Sequence, residues 1–198
     1  MRRGWPLVAA LAVAQLVSWG TIYYSFSLFV VPMEAELGWR RETINGALSL
    51  GLMVSGLMAY PVGALIDRGR ARAVMTAGSL LAAALLAAWS QVADVASFYL
   101  LWLGLGAALA ATLYEPAFAV LTRRFPDGYR ARITALTLIG GFASTVCWPL
   151  SAVLLNQMGW RGTCAAYAAV ELGEPIKPLL WPARARPGSW PALCGCKS

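Results

Sequence analysis

Long apolar runs separated by short polar gaps set the pattern of this chain. Five of them, Pro6 to Val31, Asn45 to Ile66, Ala73 to Val92, Ser97 to Leu121 and Ile133 to Leu155, are each long enough for a helix rising ~1.5 Å per residue to cross a hydrocarbon core of ~30 Å. A sixth begins at Gly162 and reads Thr-Cys-Ala-Ala-Tyr-Ala-Ala-Val to Val170, where Glu171, Glu174, Pro175, Lys177, Pro178 and Pro182 interrupt it. The pattern predicts an all-α membrane protein with five transmembrane helices and an incomplete sixth over 162–173, all within one bundle spanning 1–173.

Composition agrees. Of 198 residues, 59% are hydrophobic and 13% charged, against about 25% charged in a soluble domain, and the mean hydropathy is +0.62. The net charge of +7 does not indicate nucleic acid. A nucleic-acid surface gathers its basic residues on a polar fold, whereas these lie in the gaps between apolar runs. There they report topology, because Lys and Arg concentrate in cytoplasmic loops. Placing the N-terminus inside puts Arg2, Arg3, Arg68, Arg70, Arg72, Arg123, Arg124, Arg130 and Arg132 within and Arg40, Arg41 and Arg161 outside. The expectation is a multi-pass protein of the inner (plasma) membrane with a cytoplasmic N-terminus. Ala12-Val13-Ala14 resembles a signal-peptide cleavage site, but the apolar run continues well past Gln15, so an uncleaved first helix is expected.

Histidine is absent, which removes the usual general base and metal ligand. Cys147, Cys164, Cys194 and Cys196 lack the spacing of a zinc site or disulfide framework and read as inert. No enzyme, cofactor or metal is expected. The segment 174–198 is rich in Pro, Arg and Trp and has neither helical nor strand period. It reads as an irregular tail left by a frameshift or truncation near Gly173.

The gap after the second run reads Gly63-Ala64-Leu65-Ile66-Asp67-Arg68-Gly69-Arg70-Ala71-Arg72. It resembles the signature loop of the major facilitator superfamily, Gly-x-Leu-x-Asp-Arg-x-Gly-Arg-Arg/Lys, with the second glycine one position early. The resemblance implies a twelve-helix transporter of which this chain supplies the N-terminal half, two three-helix inverted repeats, with Gly63, Asp67, Arg68 and Arg72 in a cytoplasmic gating network. The bland alternative is an ordinary basic loop. The first run, with Trp19-Gly20, Tyr23-Tyr24, Ser25-Phe26-Ser27-Leu28-Phe29 and Pro32, leads to Glu36-Leu37-Gly38-Trp39-Arg40-Arg41. That stretch resembles the monocarboxylate-porter-like branch.

Candidate site residues emerge from helical spacing. Gln15, Trp19 and Tyr23 fall at i, i+4 and i+8 and share a face in a regular helix, either lining a cavity or packing. Glu115, beside Pro116 and at the end of the stripe Gly104, Ala108 and Thr112, is an ionisable group inside a span. It either carries a proton or pairs with an arginine. Gly141, Ser144, Thr145 and Trp148 form a smooth face for packing or for a substrate path. The Gly-Pro-Gly-Gly signature of the superfamily's drug antiporters is absent from this run.

The resemblance therefore implies a secondary transporter, a proton-coupled symporter of a small organic anion such as a monocarboxylate. Its partners would be the lipid bilayer, the substrate, protons and the missing C-terminal half, with no nucleic acid. Two alternatives stay open: a non-functional fragment, and a small membrane scaffold or assembly partner.

Overall fold

A computed structural model of the chain describes residues 5–125 and 128–173, apart from the side chains of Pro6, Glu115, Arg123 and Arg124. The tail at 174–198 lies outside the described residues. The described elements are all helical: α1 (Trp5–Ser18), a π-helical turn (Trp19–Tyr24), α2 (Ser25–Leu37), α3 (Arg41–Leu65), a second π-helical turn (Ile66–Arg70), α4 (Ala71–Trp89), α5 (Val95–Thr112), α6 (Tyr114–Arg124), α7 (Tyr129–Gly141) and α8 (Ala143–Gly173).

Local chemistry sets several boundaries. Asp94 caps α5 by accepting from the Ser97 amide at 2.8 Å, satisfying one of the donors that a helix start leaves free. Gly38 ends α2 in the left-handed conformation that glycine adopts without a Cβ penalty, φ 68°, and its amide donates back to the Glu34 carbonyl.

Four helical runs, Leu7–Leu37, Arg41–Trp89, Val95–Thr122 and Tyr129–Gly173, are long and apolar enough to cross a membrane. The two longest turn at glycines, Gly69 with φ 80° and Gly159 with φ 69°. The expected break between Ile66 and Ala73 is thus a wide helical turn around Gly69. Beyond Gly159 the second arm of α8 continues to Gly173 and does not stop at Glu171. It buries Trp160, Thr163, Cys164, Tyr167, Ala168 and Glu171, a stripe at helical spacing, mainly against α4 and the first helix. The sequence reads Glu171 as an interruption, but a carboxyl that packs inward at the right register does not break a helix.

Where the alternative to protein contact is lipid, close packing and small residues hold helices together. The α3 and α5 backbones approach so closely that a Cβ on Gly106 would strike the Gly51 carbonyl. Gly78 of α4 is similarly tight against Ala111 and Thr112. Phe26, Phe29, Trp89, Phe98 and Trp102 build an aromatic core nearby, with Phe26 and Trp102 edge to face at 4.9 Å and Trp89 and Trp102 at 5.2 Å. At the opposite end Val8, Leu11, Met75, Leu121 and Leu136 gather the start of α1, the start of α4, the end of α6 and α7.

Candidate functional site

The site is organised by the first π-helical turn. The Ser25 amide donates to the Gly20 carbonyl, five residues back rather than four. One extra residue in a turn rotates the downstream helix by ~100° relative to a regular α-helix. Trp19 and Tyr23 keep their rings in contact at 5.3 Å, while Gln15 is buried against the break between α5 and α6. Gln15, Ser18, Thr21 and Ser25 turn inward and are buried, whereas Tyr23, Tyr24 and Ser27 border a groove. Gly20 lets this wide turn sit against α8, since a Cβ there would collide with Cys147.

Gln15 is fully buried and occupied elsewhere. Its Nε2 donates to the Thr112 carbonyl at 2.7 Å and to the Leu113 carbonyl at 3.2 Å. Leu113 is extended, with ψ −162°, at the break between α5 and α6. Pro116 has no N–H to give to the carbonyl four residues back, Thr112. Gln15 supplies the missing donor and holds the break open. Trp19 packs its ring on Tyr23, Tyr24 and Tyr114 at 5.3, 6.0 and 5.5 Å. Glu115 lies in the first turn of α6, and its side chain is outside the described ones.

The groove has a volume of about 630 Å³ and is lined by Tyr23, Tyr24, Phe26 and Ser27 of the first helix, Leu48 of α3, and Ser144, Thr145, Trp148 and Pro149 of α8. It adjoins a smaller space of about 310 Å³ that shares Phe26, Ser27 and Leu48 and reaches Asn45 and Arg41. Of the expected cavity residues the structure brings Tyr23, Ser144 and Trp148 together here and leaves Gln15 and Trp19 behind the wall. The lining supplies hydroxyl groups and aromatic faces, in the size range of small-molecule sites. Arg41 at the far end is held by Glu34 through two bonds, Nε to Oε1 at 3.0 Å and Nη2 to Oε2 at 2.8 Å. The bond to Arg41 keeps the Glu34 carboxyl below its usual range and raises Arg41 in turn.

Gly63 lies near the end of α3, and Asp67, Arg68 and Arg72 are exposed at and just past the turn around Gly69. The positive φ of Gly69 explains why a glycine stands at this point of the loop. Among the described residues no group of three His, Cys, Asp or Glu side chains could hold a metal.

Two residues escaped the sequence reading. Glu171 is fully buried, with Oε1 2.7 Å from Thr21 Oγ1, and the same hydroxyl lies 3.0 Å from the Val17 carbonyl. The signal for Glu171 was present in the spacing, since it extends the stripe Cys164, Tyr167, Ala168. Nothing in the sequence marked Thr21, because the π turn decides where it points.

A family model described as Major Facilitator Superfamily matches residues 11–192. Human monocarboxylate transporter 11 is 32% identical over 189 residues, which cover 90% of this chain and 39% of that protein. The chain thus spans about two fifths of that relative's length.

Proposed function

The chain belongs to the major facilitator superfamily, and from that premise we propose that it forms one helical half of a secondary transporter moving a small organic anion, such as a monocarboxylate, together with protons. The observation that carries this reading is the groove between the first helix, α3 and α8, whose lining of Tyr23, Tyr24, Ser27, Ser144, Thr145 and Trp148 suits a small polar molecule. The likeness to a monocarboxylate transporter supports the anionic substrate. In this reading the helical runs make five spans and the start of a sixth, with the N-terminus and the arginine-bearing turn around Gly69 on the cytoplasmic side of the plasma membrane. Asp67, Arg68 and Arg72 then belong to a gating network that breaks and re-forms as two halves rock. Glu115 is a candidate proton carrier.

The described wall of the larger groove holds no cationic side chain. A carboxylate substrate therefore requires a cation from elsewhere, and the complementary half is its natural source. The test is uptake of a labelled monocarboxylate into proteoliposomes under an imposed pH gradient, with this chain alone and with the chain joined to the C-terminal half of a relative. Uptake only in the joined form, driven by external acid and weakened in KM by Trp148→Ala, supports the proposal. Uptake indifferent to both the pH gradient and Trp148 refutes it.

A further inference from the structure

The groove continues toward one end of the bundle as the smaller space of about 310 Å³, which shares Phe26, Ser27 and Leu48 with it. Two helix faces make its walls. Ser27, Val30 and Val31 stand at i, i+3 and i+4 on α2, and Arg41, Asn45 and Leu48 at i, i+4 and i+7 on α3. The chemistry along this passage is graded. A guanidinium and an amide stand at the mouth, Val30, Val31 and Leu48 form an apolar stretch, and the hydroxyl groups of Ser27, Ser144 and Thr145 follow. Among the described residues that line the two spaces, Arg41 is the one cation.

Arg41 already holds a carboxylate. Glu34 takes its Nε and Nη2 edge at 3.0 and 2.8 Å, the two-pronged geometry that a guanidinium offers to any carboxylate. The pair is open to solutes, with the Arg41 side chain 61% exposed and that of Glu34 25%. An exposed pair of this kind contributes little, because water solvates both ions when they part. A carboxylate arriving from solution can therefore take the place of Glu34 at small cost, since one bidentate contact replaces another of the same kind.

We propose that Arg41 is the docking residue for a monocarboxylate at the mouth of the groove, and that Glu34 is an internal stand-in which the substrate displaces. Asn45, one turn further along α3, offers its amide beside the guanidinium. The short apolar tail of the substrate lies along Val30, Val31 and Leu48, a contact that an inorganic anion does not make. Loose holding suits a mouth, because a solute that is to travel on must bind well enough to enter and weakly enough to leave. The inference rests on the organic-anion reading of the groove and names its point of entry. In that reading this end, where α2 finishes and α3 begins, faces away from the cytoplasm.

The test does not depend on transport. The full chain in lipid nanodiscs is treated with phenylglyoxal, an arginine reagent, and the rate at each arginine is followed by peptide mapping. Propionate is expected to slow modification of Arg41, while propionamide, and chloride at matched ionic strength, leave it unchanged. Arg40, paired with Glu42 at 3.1 Å, is the internal control and should not respond. Glu34→Gln leaves a competitor that cannot pair as an ion, so half-protection should need about threefold less propionate, within what an exposed ion pair is worth. Absence of protection at Arg41, equal protection at Arg40, or equal protection by propionamide overturns the docking site. A half-protection concentration that is unchanged or higher in Glu34→Gln overturns the displacement. The chain joined to the C-terminal half of a relative separates this inference from the transport reading. Proton-driven uptake whose KM is untouched by Arg41→Gln refutes docking and leaves transport standing, whereas propionate protection at Arg41 without any such uptake does the reverse.

Discussion

Glu36 and Glu171 stand on helices that pack together, yet the two carboxyl groups live in opposite surroundings. Glu36, at the end of α2, is about half exposed, its side chain at 47%, and accepts from Trp160 Nε1 at 2.6 Å and Arg161 Nε at 2.7 Å. Arg161 also donates to the Ser90 carbonyl at 2.8 Å and lies over the Trp160 ring at 4.3 Å. One exposed carboxylate thereby ties the end of α2, the turn after α4 and the start of the second arm of α8. Glu171, on that same arm, is fully buried beside Thr21. Water at the outer cluster screens and solvates, so charge is cheap there and its bonds are weak. In the interior every polar atom depends on a specific neighbour, so each bond is costly to lose.

The contrast breaks most readily at the tightest interior contact. Gly106→Leu must push against the Gly51 backbone, which cannot rotate away as a side chain would. We expect a loss of about 3 kcal/mol, at the upper end of overpacking costs, read as a fall in the midpoint of unfolding in sodium dodecyl sulfate. A neutral result would mean that α3 and α5 do not cross at these glycines. Gln15→Leu comes next. It removes the donors to the Thr112 and Leu113 carbonyls and should cost about 2 kcal/mol, with raised hydrogen exchange at the break between α5 and α6. Retained protection at that break would show that the donor role belongs to another group.

Smaller effects belong to the outer cluster. Arg161→Ala should cost under about 1 kcal/mol in the same measurement, because the pair is substantially exposed. An effect matching that of Gln15→Leu would erase the distinction between the two regions. The smallest effect is on acid stability. The bond to Arg161, then that to Trp160, holds the Glu36 carboxyl below its usual range. A lowered acid contributes stability above its unfolded value, about 4.3, and loses it as the pH falls through the still lower folded value. Glu36→Gln should therefore flatten the acid limb of a thermal-stability profile and leave its neutral region almost unchanged. A change confined to neutral pH would contradict the assignment.

Several features were legible because they depend on local chemistry. Apolar length predicts helices of membrane-crossing size, and the Asp-Arg loop after Gly63 together with the aromatic first helix points to the superfamily. The groove was legible in part, since Tyr23, Ser144 and Trp148 do meet. Counting four residues per step set Gln15, Trp19 and Tyr23 on one face, and the Trp19 and Tyr23 rings do meet at 5.3 Å, but the bonding of Gln15 to the Thr112 and Leu113 carbonyls depends on the neighbouring helix. Glu171 was counted among the interruptions, because a carboxyl in an apolar run reads as a stop unless the register of the partner helix is known.

By itself, then, the sequence determined that this chain is helical, that it is apolar enough to enter a bilayer and that it belongs to a transporter family, since hydropathy, glycine placement and loop motifs act over a few residues. Only the tertiary structure decided which polar groups face inward, that Gln15 serves the carbonyl freed by Pro116, and that Thr21 meets Glu171 across 150 positions of chain. Those pairings depend on how one helix is wound and on what its neighbour presents at the same height. No local pattern encodes either.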